Sequence, residues 1–164
     1  MAFPVSRRGA LAAILSVVAA PPMLTSEAFA ASRYRFRAIE VDVAPLRRTG
    51  HTVIADWLSA DLPGELRRSF ARHLAPADRN ASILRVRIDS VTFGRVRRER
   101  QRARDEIEGV ALVIGAGGRR IASYPLRASV IAQVALRGPM TPSRSRTAGL
   151  ANAFAGRLPG AMRL

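Results

Sequence analysis

Apolar and polar positions change their spacing several times along the chain, and each change marks an element. Residues 33–43 alternate as a strand does, with Tyr34, Phe36 and Ala38 on one side and then Ile39, Val41 and Val43 on the other. The slip of phase predicts a bulge or twist near Ala38. Pro45 closes this strand, and Arg47, Arg48, Thr49 and Gly50 read as a turn. Over residues 51–74 the spacing becomes four: Ile54, Leu58, Leu62, Leu66, Phe70 and Leu74 form a slowly drifting helical stripe, widened by Trp57. Arg67, Arg68 and Arg72 suit the negative end of that helix. Pro63 and Gly64 predict a kink or a break within it, and Pro76 marks its end.

Period two returns at residues 82–93, where Leu84, Val86 and Ile88 oppose Arg85, Arg87 and Asp89. A third strand is expected over 105–114, followed by a glycine-rich hairpin turn at 115–118. Residues 120–136 alternate longest. Ala122, Tyr124, Leu126, Ala128, Val130, Ala132, Val134 and Leu136 share one face, and Pro125 predicts an edge position because it cannot donate to a ladder. Gly138 and Pro139 end that strand. Thr141 and Pro142 read as a helix cap and first turn, with Leu150, Phe154 and Leu158 on the buried face before Pro159 and Gly160 stop the run. The order β-α-β-β-β-α predicts an α+β fold: a two-layer sandwich with an antiparallel-rich sheet and two helices on one face.

Residues 1–30 have the layout of a cleavable export signal. A short basic start with Arg7 and Arg8 leads into an apolar stretch over 9–20 that is shorter than the roughly 20 residues a membrane span needs. Pro21 and Pro22 end it, and Ala28-Phe29-Ala30 places the expected cut before Ala31. Ser6, Arg7, Arg8 and Leu11 match the twin-arginine export motif, while Ala10 departs from its usual bulky residue. Both that route and the general secretory route stay open. The remainder, residues 31–164, fits one α+β domain with a basic loop at 94–105 and no transmembrane span after cleavage. The expected location is periplasmic or exported.

The chain carries +15, and all 27 of its Lys and Arg positions are arginine. Loss of the leader removes two of these and Glu27, so the charge scarcely changes. Such a surface attracts anionic lipid, phosphorylated glycolipid, nucleic acid or acidic protein, and the guanidinium fork pairs with phosphate through two hydrogen bonds at once. Cysteine is absent. That excludes disulfides, thiolate metal sites and a cysteine nucleophile, and leaves no lipid-anchor cysteine.

The densest charge lies in Arg95, Arg97, Arg98, Arg100, Arg102 and Arg104, interrupted by Glu99 alone among acids. A segment with so little to bury reads either as a solvated loop or as a docking arm for an anionic surface. Asp105, Glu106 and Glu108 follow directly. They could be imagined as catalytic acids, but charge compensation beside the arm accounts for them better. His51 and His73 lack ligand-spaced companions, so no metal is expected. Residues 115–118 lack the Lys-Ser/Thr sequel of a phosphate loop, and no serine sits in a nucleophile elbow. No cofactor and no enzymatic activity are expected.

The leader and the element order together resemble the LPS-assembly lipoprotein (LptE) family and the auxiliary lipoproteins of ABC-type transporters. The resemblance is carried by the opening strand at 39–46, the helix at 54–74 and the strands at 84–93, 107–114 and 120–136. It implies a non-catalytic cell-envelope protein of lipid transport or assembly that binds an anionic lipid, a glycolipid or an envelope protein. The missing anchor cysteine departs from the family pattern, and a soluble periplasmic relative is the reading that follows. Two other classes remain open: a nucleic-acid binder, which the charge allows and the leader opposes, and a hydrolase with an unrecognised site.

Overall fold

The structure is a computed structural model that describes residues 34–94, 102–133 and 142–164. The leader at 1–30 and its cut before Ala31, the arm positions Arg95, Arg97, Arg98 and Arg100, the strand end from Val134 to Leu136, Gly138, Pro139 and Thr141 lie outside these residues.

The chain forms strand β1 (Phe36–Asp42), helix α1 (Ala44–Arg48), helix α2 (Thr52–Ser69), strands β2 (Ser82–Thr92), β3 (Arg102–Ile114) and β4 (Arg120–Gln133), and helix α3 (Arg144–Ala161). The sheet order is β1-β2-β3-β4. β1 and β2 run parallel, joined across the sheet by α2, and the other two pairings are antiparallel. Helices α2 and α3 pack on each other, α2 against β1 and α3 against β4. The architecture is the expected α+β two-layer sandwich, with α1 as an addition.

α1 forms where the sequence reads as a turn. Pro45 sits in its first turn, where its fixed φ favours helix and no N–H is needed. Asp42 Oδ1 accepts from the Ala44 N–H at 2.9 Å, and Leu46 is fully buried beneath. Gly50, at φ +84°, then reverses the chain into α2. Along α2 the stripe Ile54, Leu58, Leu62, Leu66 and Phe70 is buried as the spacing predicts. The break expected at Pro63 does not occur: one helix runs through it to Ser69. Burial of Leu62 and Leu66 on either side holds the turn that Pro63 leaves one hydrogen bond short. Trp57 is half-buried and stands outside the core cluster instead of widening the stripe.

In the sheet, inward positions stack across strands. Leu84 and Val86 of β2 pair with Val113 and Ala111 of β3, which pair with Ala122 and Tyr124 of β4. The register of β1 shifts between Phe36 and Ala38, the bulge that the phase slip predicts. A second shift between Ile88 and Ser90 returns Val91 to the core. Gly109 faces Ile88 there, and a Cβ on it would lie 2.4 Å from the Arg87 carbonyl oxygen. β4 is an edge strand, as Pro125 requires. At the far end of the chain, α3 takes its cap from Ser143, whose hydroxyl accepts from the Arg146 N–H, so Pro142 precedes the cap. The helix passes Pro159 and ends at Ala161.

Candidate anionic-surface contact

The arginine-rich segment is anchored at both ends by a buried ion pair. β3 begins at Arg102 instead of Asp105, so Arg102 and Arg104 belong to a strand within the span the sequence assigns to the basic loop. Alternation along β3 turns Arg104, Glu106 and Glu108 to the open face of the sheet and Asp105 and Ile107 to the helix side. Asp105 is only 1% exposed. Arg146, in the first turn of α3, reaches it: Nε donates to Oδ2 at 2.8 Å and Nη2 to Oδ1.

Phe93 and Gly94, where the chain leaves β2, complete this anchor. The Gly94 N–H donates to Asp105 Oδ1 at 3.1 Å, and the Gly94 carbonyl accepts from Arg146 Nη2 at 3.3 Å. The Arg146 guanidinium lies 4.9 Å from the centre of the Phe93 ring, within cation–π range. Hydrogen bonding to Asp105 raises the Arg146 pKa above its ordinary value, against the opposing effect of burial. Both ends of the segment are thus tied to α3 by one carboxylate–guanidinium pair.

On the open face the carboxylates are matched by arginine. Arg127 of β4 binds Glu106 at 2.6 Å and Glu108 at 3.1 Å. Arg104 pairs with Glu106 at 3.2 Å and donates to Ser129, while Ser90 donates to Glu108. Arg87 binds Asp89 at 2.7 Å, and this hydrogen bond raises the Arg87 pKa. The remaining described carboxylates are also engaged. Glu40, Asp56, Asp61 and Glu65 each meet an arginine, and Asp42 and Asp78 accept backbone N–H groups in turns.

The other candidates stay apart. His51 stands exposed before α2, and His73 packs its ring edge-on against Phe70. Among the described residues no three His, Asp or Glu side chains gather as a metal site would. A shallow apolar hollow of about 390 Å³ lies beside His51, Val53, Trp57 and Pro142. No described helix is long and apolar enough to cross a membrane. Of the six arm arginines, the structure places Arg102 and Arg104 at the base. Sequence reasoning missed Arg146, whose partner is 41 positions away and carries no local signal.

No family model matches the chain, and no curated protein matches it. Among solved structures it is similar to a candidate lipoprotein from Caulobacter crescentus CB15, with a TM-score of 0.45 and 14% identity over 76% of this chain and 82% of that one. A minor lipoprotein from Acinetobacter baumannii gives a TM-score of 0.43 and 14% identity, over 77% and 93% respectively.

Proposed function

We propose that this chain is an exported, non-catalytic envelope protein that docks on an anionic lipid or glycolipid surface through Arg95, Arg97, Arg98, Arg100, Arg102 and Arg104. The observation that carries the proposal is the state of the carboxylates. Every described one is already engaged by an arginine or a backbone N–H, Glu106 by Arg104 of the arm itself, so among the described residues no further acid is left to neutralise the rest of the arm. Charge that a protein does not compensate internally is available to an external polyanion. The leader supports an extracytoplasmic surface over nucleic acid, and the element order fits the role expected of an LptE-like envelope protein.

Flotation with vesicles tests this. Protein purified after export is expected to float with phosphatidylglycerol-containing vesicles at low salt. It should release as salt rises, since the screening length falls from about 10 Å at 0.1 M to about 3 Å at 1 M. Changing the six arginines to Gln should weaken flotation strongly with little change in thermal midpoint. Undiminished flotation of that variant would refute the docking role of the arm.

A further inference from the structure

At the end of the sheet remote from the arm, the β3–β4 hairpin carries a second contact surface of different make. β3 extends roughly 40 Å at about 3.3 Å per residue, so the turn after Ile114 lies a whole strand's length from Arg102. Ile121 is 58% exposed there, one of the few large apolar side chains left so open among the described residues. Its neighbour Ala122 faces the core, so Ile121 points to the uncovered side of the sheet. Ile83, Leu112 and Ile114 are half-buried on that same side and stand outside the core cluster. Ile83 pairs with Ile114, Leu112 lies two residues back along β3 on the same side, and Ile121 adjoins the Ile114–Arg120 pairing, which gathers the four apolar positions at the hairpin end.

The charge at the turn beside this patch has one sign, while Arg85, which pairs with Leu112 farther along the face, is matched by Glu40. Arg119 and Arg120 are exposed, and no described carboxylate pairs with either. From Gly109 to Leu164 the chain contains no Asp or Glu at all. The turn itself is Gly115-Ala116-Gly117-Gly118, closed by the Gly118 N–H to the Gly115 carbonyl and by the Gly115 N–H to the Arg119 carbonyl. Gly118 sits at φ +75°, where glycine is favoured. The tip is therefore slender and uncharged, backed by exposed isoleucine and flanked by two cations.

We infer that the β3–β4 hairpin tip is a bilayer-contact element, which seats Ile121 at the acyl boundary while Arg119 and Arg120 bind anionic headgroups. Apolar burial combined with attraction to anionic lipid is the combination that holds interfacial segments on membranes. A nucleic acid would satisfy the arginines alone; a bilayer with anionic headgroups satisfies both the arginines and the exposed isoleucine, and an acidic protein is the competing occupant that the test below separates. The inference rests on the envelope reading above, because it needs an anionic membrane within reach, but it uses different residues.

Because the chain has no native cysteine, Ala116→Cys takes a single polarity-sensitive nitrobenzoxadiazole label at the tip, and Ser59→Cys on the exposed side of α2 takes a control label. With phosphatidylglycerol-containing vesicles the tip label is expected to shift to the blue and the control label to stay unchanged. Arg119→Gln and Arg120→Gln should each lower vesicle partitioning about fivefold. In the arm-neutralised protein the same tip changes should remove the flotation that remains. Flotation of the wild type without a shift of the tip label overturns the inference and leaves the docking arm standing. Absence of wild-type flotation overturns both. A shift produced by nucleic acid or by an acidic protein, with none from vesicles, overturns the bilayer assignment.

Discussion

Removing one partner of the Asp105–Arg146 pair leaves the other facing Phe93 and the Gly94 backbone with little water. Asp105 is 1% exposed and the Arg146 side chain 12%, so the survivor keeps the cost of burial without the attraction. Arg146→Met is expected to destabilise the fold by about 3 kcal/mol, measured by urea denaturation. The double change Asp105→Leu with Arg146→Met should recover much of that loss, because an apolar pair of similar volume leaves no buried charge. Arg127 is the contrasting case. It binds two carboxylates, yet its side chain is 63% exposed, and Arg127→Ala should cost at most about 1 kcal/mol. Alternation over residues 120–136 already sets Arg127 opposite the apolar face, whereas nothing in the sequence around Arg146 predicts its burial.

Helix α2 and strand β4 show how far periodicity reaches at the level of the element. Leu66 is fully buried, and Leu66→Ala should cost about 2–5 kcal/mol. Leu126 faces the same core from β4 but is only partly buried, so Leu126→Ala should cost less than Leu66→Ala and clearly more than Arg127→Ala beside it. Pro63 stays inside a continuous helix and removes one of its hydrogen bonds. Pro63→Ala is therefore expected to raise the free energy of unfolding by up to about 3 kcal/mol on helix propensity alone, read from urea denaturation. The stripe at spacing four was legible through Pro63 because packing of Leu62 and Leu66 outweighs a local breaker. α1 was not legible: it is five residues long, buries only Leu46, and offers no period to read.

For the whole molecule, the expected ordering of charge is testable as a salt dependence. Vesicle binding by the protein purified after export should fall steadily from low to high salt, as the surplus arginines imply. Intact mass of protein recovered from the envelope is expected to correspond to a chain that starts at Ala31. Arg7→Lys with Arg8→Lys should block export if the twin-arginine route carries it and leave it nearly intact if the general route does. These measurements bear on location and partner, while the denaturation series bears on the fold.

Local pattern alone determined the inward faces of β2 and β4, the stripe of α2, the bulge near Ala38 and the edge position of β4. Each depends on neighbours within a few residues, and Pro125 restricts its own strand locally. The excess of arginine and the absence of cysteine are likewise sequence properties. Tertiary structure decided the rest. It set β1 parallel to β2, carried α2 unbroken past Pro63, and brought Arg146 of α3 onto Asp105 of β3. It also gathered Ile83, Leu112, Ile114 and Ile121 at the hairpin end, with Arg119 and Arg120 beside them. The physical reason is range: a side chain's period is written in its own segment, but its partner is set by which distant surfaces the core brings into register.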